Sequence, residues 1–157
     1  MKISISLLFV FLFGITACDN DIQNDPAPQE KQVFIFGSFA GECLGNCVHY
    51  YKIEAEKLYA DDIDHGIPDS IPFQTTPLSA AKYQLAEPLS EDIPDELLTS
   101  NQQVYGCPDC YDQGGIYLEL RNGDKVQKWQ LDTDSTDQSS AILEYKQRVV
   151  EVLVALQ

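Results

Sequence analysis

Positive charge is what this chain most lacks. Of its 157 residues, ten are Lys or Arg and 25 are Asp or Glu, which leaves a formal net charge of −15. That balance argues against nucleic acid as a partner, because a phosphate backbone is held by a basic face. Histidine is also scarce: His49 and His65 are the only side chains of that type. There is no Gly-x-Ser-x-Gly, no Gly-rich phosphate loop and no His-Glu-x-x-His, so no motif supports an enzyme. No apolar run reaches the roughly 20 residues that a membrane-spanning helix needs. What the chain does have is 44% hydrophobic residues, enough for a folded core, and a length that suits one domain.

The first residues read as an address. Met1-Lys2 gives a short positive start, and Ile3 to Ile15 is apolar apart from Ser4, Ser6 and Gly14. This suits the central region of a secretory signal. The run ends in Ile15-Thr16-Ala17-Cys18, which resembles the lipobox of bacterial lipoproteins. The resemblance implies a signal peptide over 1–17, cleavage before Cys18, and acyl chains (diacylglycerol and a palmitate-like fatty acid) on Cys18 that hold the protein to a membrane. Residues 18–31 then form a lipidated Cys and an acidic flexible tether, with Pro26, Pro28 and four carboxylates. Asp19 directly after the lipidated position resembles surface-export signals of Bacteroidota-like lineages, although in enteric bacteria it retains lipoproteins in the inner membrane. The expected location is the cell envelope, in the outer membrane or at the surface rather than in the inner membrane.

Residues 32–157 are expected to form a single globular domain. Gln32 to Ala40 is rich in aromatic and β-branched residues and reads as a strand. Val48 to Leu58 reads as a second strand with Tyr51, Ile53 and Ala55 on one face. Ala60 to Thr76 is acidic and reads as a loop. Pro77 to Leu89 and the short stretch Ile93 to Leu98 read as helical, the latter with Pro94 at its first position. Asn122-Gly123 predicts a hairpin in which both central residues take positive φ, pairing Arg121 with Asp124, Leu118 with Gln127 and Ile116 with Trp129. Ile116, Leu118, Leu120, Trp129 and Leu131 would then pack, while Tyr117, Glu119, Arg121, Lys128 and Gln130 see water. A final helix capped by Ser139 or Ser140 carries an apolar stripe of Ile142, Tyr145, Val149, Val152, Leu153 and Leu156. The expected fold is α+β, a small antiparallel sheet with the C-terminal helix packed on one face.

Four cysteines remain beyond Cys18. Cys43 and Cys47 form one close pair, and Cys107-Pro108-Asp109-Cys110 forms another. In an oxidising envelope the expectation is two local disulfides, Cys43–Cys47 and Cys107–Cys110. The alternative is a metal-binding or redox protein. Four thiolates at Cys43, Cys47, Cys107 and Cys110 could hold zinc, and a Cys-x-x-Cys can exchange electrons. A thioredoxin-like motif opens a helix, however, and a strand is expected after Cys110. No His follows Cys110, which excludes a c-type haem site. No cofactor is expected.

Cys43-Leu44-Gly45-Asn46-Cys47 and the strand after it resemble a family of uncharacterised bacterial envelope proteins with the pattern Cys, apolar residue, Gly, any residue, Cys, strand. Val48 departs from the Pro often found there. The resemblance implies a small envelope domain and supplies no catalytic residue.

Two weaker constellations read first as solvated loops. Asp132 to Asp137 alternates oxygen ligands but lacks the Gly and Glu of an EF-hand, and Asp61 to His65 is an acidic loop that could hold a cation. Tyr50, Tyr51, Tyr59, Tyr105, Tyr111 and Tyr117 would suit glycan or peptide binding if several lined one sheet face. The function expected is that of a lipid-anchored, non-enzymatic binding module with a protein, peptide or glycan partner. Cys18→Ser should abolish incorporation of labelled fatty acid and leave the chain unprocessed at that site. Retained label and unchanged fractionation would disprove the lipobox.

Overall fold

In the computed structural model, strand β1 (Val33–Phe39) lies inside one six-stranded sheet and carries apolar side chains on both faces. Residues 32–41, 47–63, 70–134 and 137–157 are described. The other strands are β2 (His49–Glu54), β3 (Lys57–Ala60), β4 (Val104–Tyr105), β5 (Gly115–Asn122) and β6 (Lys125–Asp132). Their order is β3-β2-β1-β5-β6-β4, antiparallel throughout except for the β4–β6 edge pair. The helices are α1 (Ala80–Glu91), α2 (Asp95–Thr99) and α3 (Ser140–Leu156). The class is α+β, with the C-terminal helix packed on the sheet.

Period-two alternation sends Phe34 and Phe36 to the helix-covered face, where Phe34 sits opposite Ile53 and Leu120, and Phe36 opposite Tyr51 and Leu118. Trp129 and Leu131 of β6 extend this layer. Helix α3 meets it with its whole predicted stripe, from Ile142 to Leu156, buried. Ser139 starts α3: its hydroxyl accepts the Ile142 N–H at 3.4 Å. The hydroxyl of Tyr145, on that stripe, donates to the Leu89 carbonyl at 2.6 Å, a buried bond that ties α3 to α1. Arg148 adds an exposed ion pair to Asp92 at 2.8 Å.

Several sequence expectations need correction. Val48 to Leu58 is not one strand: Ala55 and Glu56 take φ of 51° and 58°, and the chain reverses there into β3. Ala55 is therefore an exposed turn residue and does not share a face with Tyr51 and Ile53. Helix α1 starts later than Pro77, because the Ser79 hydroxyl accepts the Lys82 N–H and sets the N-cap. Pro94 lies one position before its expected place, as the cap of α2. The β5–β6 register is shifted by two residues: Asn122 pairs with Lys125, Leu118 with Trp129 and Ile116 with Leu131. The turn is Gly123-Asp124, and only Gly123 of these has positive φ, 55°. A two-residue shift preserves faces, so the packed set is the expected one. The opposite set does not all see water, since Glu119 is 2% exposed.

Among the described residues no helix covers the second face. Across it run Lys57–Glu54–Val33–Arg121–Val126, then Tyr59–Lys52–Ile35–Glu119–Lys128, then Tyr50–Gly37–Tyr117–Gln130. A small second cluster of Val48, Tyr50 and Ile63, with Phe73 and Tyr117 against it, covers part of this face.

Trp129→Ala should cost about 3–5 kcal/mol in a denaturant melt, because the ring is buried in the helix-covered layer. Glu56→Gly in the same experiment should be neutral or stabilising by up to about 1 kcal/mol, because it relieves a positive φ.

Candidate functional site

The described cysteines, Cys47, Cys107 and Cys110, lie towards one end of the sheet. Cys107 and Cys110 are joined by a disulfide. The expected local pairing is what forms there. Both residues are exposed. Cys47 is also disulfide-bonded. Its expected partner Cys43 and the lipidation candidate Cys18 lie outside the described residues. Register places Cys47 near the other pair, since Ser38 faces His49 and Phe39 faces Gly115.

Asp109, inside the Cys107–Cys110 ring, ties this end together. It takes φ of 61°, which the short Asp side chain tolerates through local hydrogen bonds. Its carboxylate accepts the Gly41 N–H at 2.6 Å and the Gly114 N–H at 3.0 Å. The disulfide thus fixes a carboxylate that latches the end of β1 to the start of β5. Tyr111-Asp112-Gln113 leads on to β5, not to a helix, so no helix N-terminus stabilises a thiolate at either sulfur. While the bond is closed, Cys107 and Cys110 have no thiolates to give a zinc ion.

The two acidic loops use their oxygens internally. Asp132, 7% exposed, accepts the N–H groups of Cys107 and Asp134, each at 2.9 Å. The Lys146 ammonium donates to the carbonyls of Asp132 at 2.8 Å and Thr133 at 3.2 Å. Burial holds the Lys146 amine below its ordinary value, and Asp132 and Asp134 partly offset this. The start of the Asp132 to Asp137 segment is therefore a built strand-to-helix joint, not a solvated loop. Asp61 accepts the N–H groups of Tyr50 at 2.6 Å and Ile63 at 3.1 Å, while Asp64 and His65 lie outside the described residues. Among the described residues, no group of three or more His, Cys, Asp or Glu side chains is placed to hold a metal ion.

The tyrosines divide. Tyr51 and Tyr105 join the helix-covered core, and Tyr111 is exposed beside Cys110. Tyr50, Tyr59 and Tyr117 share the second face. The rings of Tyr50 and Tyr117 meet edge-to-face at 5.5 Å on either side of Gly37, where a Cβ would overlap the Tyr50 ring and the His49 carbonyl. Below them the Glu119 carboxylate is held by the Tyr117 hydroxyl and the Arg121 guanidinium, with Lys128 at 3.4 Å. Burial pushes this carboxyl up, but the bonds from Tyr117 and Arg121 and the charge of Lys128 outweigh that and leave it below 4.5. Burial and the same bond push the Tyr117 hydroxyl far up. Sequence reasoning placed Glu119 in water because strand alternation alone marks a face as polar.

A cleft opens at the opposite end of the molecule, on the helix-covered face. Its volume is about 660 Å³. Phe34, Ile53, Leu120, Tyr83, Ile93 and Leu98 give it apolar walls drawn from three strands, α1, α2 and the link between those helices. Gln32, Asn122 and Gln127 add amides, and Glu56, Glu91 and Lys125 add charge. The Tyr83 hydroxyl donates to Glu87 at 2.7 Å, a bond that, with some burial, raises its pKa to about 12 and keeps it neutral. No sequence signal named this cleft, because helix α2 and the two hairpin turns meet only in the folded chain.

Compared with known proteins, the chain matches no family model and no curated protein.

Glu119 gives stability a pH dependence. A carboxyl held below its ordinary value contributes fully above that value and loses the contribution as pH falls through the folded one. The stability gap between the parent and Glu119→Gln should therefore be constant above pH 4.5 and close below it in parallel melts. A gap independent of pH would show that Glu119 is not held ionised.

Proposed function

We propose that this chain is a lipid-anchored protein of the bacterial envelope, in the outer membrane or at the surface, and that its domain is a non-enzymatic binding module whose ligand site is the cleft between the sheet and α1–α2. The observation that carries this reading is the cleft: about 660 Å³, lined by apolar side chains of the sheet and α1–α2 together with the amides of Gln32, Asn122 and Gln127. Volumes of roughly 300–1,000 Å³ with few placed polar groups are usual for ligand sites. The chain enters the domain at Gln32, on the cleft's own rim. A 14-residue tether from Cys18 could span at most about 45–50 Å, so the anchor would hold the cleft within that reach of the membrane. The apolar walls suit an apolar side chain or the ring face of a sugar, and the rim amides suit the peptide or hydroxyl groups beside it.

A second reading rests on the exposed Cys107–Cys110 disulfide. There, an external dithiol would be oxidised to its disulfide while the two sulfurs took up its electrons and protons. The missing helix N-terminus places this second. The zinc reading needs the same bond open.

Backbone amide spectra recorded against panels of oligosaccharides and short peptides test the first reading. Shifts that cluster at Tyr83, Leu98 and Gln127, and that weaken at least tenfold in Leu98→Asp, are expected. Binding elsewhere, or binding unchanged in that variant, would remove the cleft from the account.

A further inference from the structure

The two edges of the sheet are treated differently. On the β3 side the outer carbonyls are satisfied: the Leu78 N–H donates to Leu58 at 2.8 Å and the Gln74 N–H to Ala60 at 2.9 Å. On the other side, β6 pairs with β5 along its whole length, from Lys125 to Asp132, but with β4 only at Gln130 and Leu131. The Gln130 N–H donates outward to Gln103 at 2.8 Å, and the chain between α2 and β4 then leaves the edge. By the two-residue period of the ladder, Val126 and Lys128 direct their backbone N–H and C=O groups the same way as Gln130. No described strand pairs with them there. Beside them lies a slot of about 330 Å³ between β6 and residues 98–103. An unpaired row of this kind is a template for another strand, and natural proteins usually cover or shorten it.

The side chains along this edge narrow the partner. Val126 is 49% exposed, an apolar contact for an added strand. Arg121, Lys125 and Lys128 bring three of the chain's ten cations to one hairpin. Arg121 and Lys128 share the single carboxylate of Glu119, and Lys125 forms no salt bridge to a described residue. With Asp124 counted, the hairpin end still carries an excess of positive charge in a protein of net charge −15.

We propose that the open edge of β6 from Lys125 to Trp129 receives an extended, acidic segment of a partner protein as an added antiparallel or parallel strand. Main-chain bonds to Val126 and Lys128 would supply affinity, and the three cations would select acidic over basic sequence. This site adjoins the cleft, with Leu98, Lys125 and Gln127 bordering both, but the proposal does not depend on the cleft being a ligand site.

The test uses the full chain in detergent micelles and, as probe, a fluorescently labelled capped peptide of alternating Glu and Val, seven residues long. Saturable binding that weakens at least tenfold when the probe's Glu residues become Lys, when a central Val becomes Pro, or when the protein carries Lys125→Glu with Lys128→Glu supports the proposal. Val126→Pro removes one outward N–H and should weaken binding similarly; the double charge variant keeps the test valid if that chain fails to fold. Equal binding of the Glu and Lys probes would overturn it. So would a dimer that forms through the same edge and excludes the probe, or binding that appears only after residues 19–31 are deleted. Those last two results would assign the edge to a second copy or to the chain's own acidic tether.

Discussion

Among the described residues the helices cover one face of the sheet. Phe34, Phe36, Leu118, Trp129 and Leu131 supply a continuous apolar layer that α3 closes, pinned by the buried bond from Tyr145 to Leu89. Burying side chains of this size contributes roughly 1.5–3 kcal/mol each, so this layer dominates the stability of the fold. Everything on the other face must then be held by different means. Ile35 and Glu119, side by side at its centre, are as buried as the core although no described helix lies over them. Tyr117, Arg121 and Lys128 surround the Glu119 carboxylate, and a buried carboxylate is acceptable there because of these three donors.

Much of this was legible in the sequence. The α3 stripe, the composition of β1 and the faces of the β5–β6 hairpin all follow from hydrophobic period, which the packed layer enforces. The hairpin register was missed by two residues because Asn-Gly suggested a turn centred on itself, while the observed turn needs only Gly123 at positive φ. The Ala55-Glu56 turn carries no glycine, proline or asparagine, so nothing local announced it; cross-strand packing of Ile53 against Leu58 imposes it. The two-residue strand β4 is too short to leave a pattern at all.

The candidate sites were less legible than the fold. Cysteine spacing indicated a closed Cys107–Cys110 pair, but it could not show that the ring exists to aim Asp109 at Gly41 and Gly114. The cleft and the open edge both arise where segments distant in sequence end near one another. The cysteine loop secures one end of the sheet, and the end that borders the cleft is left concave. This division places rigidity by cross-link at one end and accessible surface at the other.

The account depends most on the outer edge of β6, the side away from β5, being open between Lys125 and Trp129. Residue-resolved amide hydrogen exchange measures this directly. The amides of Val126 and Lys128 should exchange quickly, whereas those of Gln127 and Trp129, which face β5, and of Gln130, Gln74 and Leu78 should be protected. Protection of Val126 and Lys128 equal to that of Trp129 would mean that the edge is already covered, and would contradict the account.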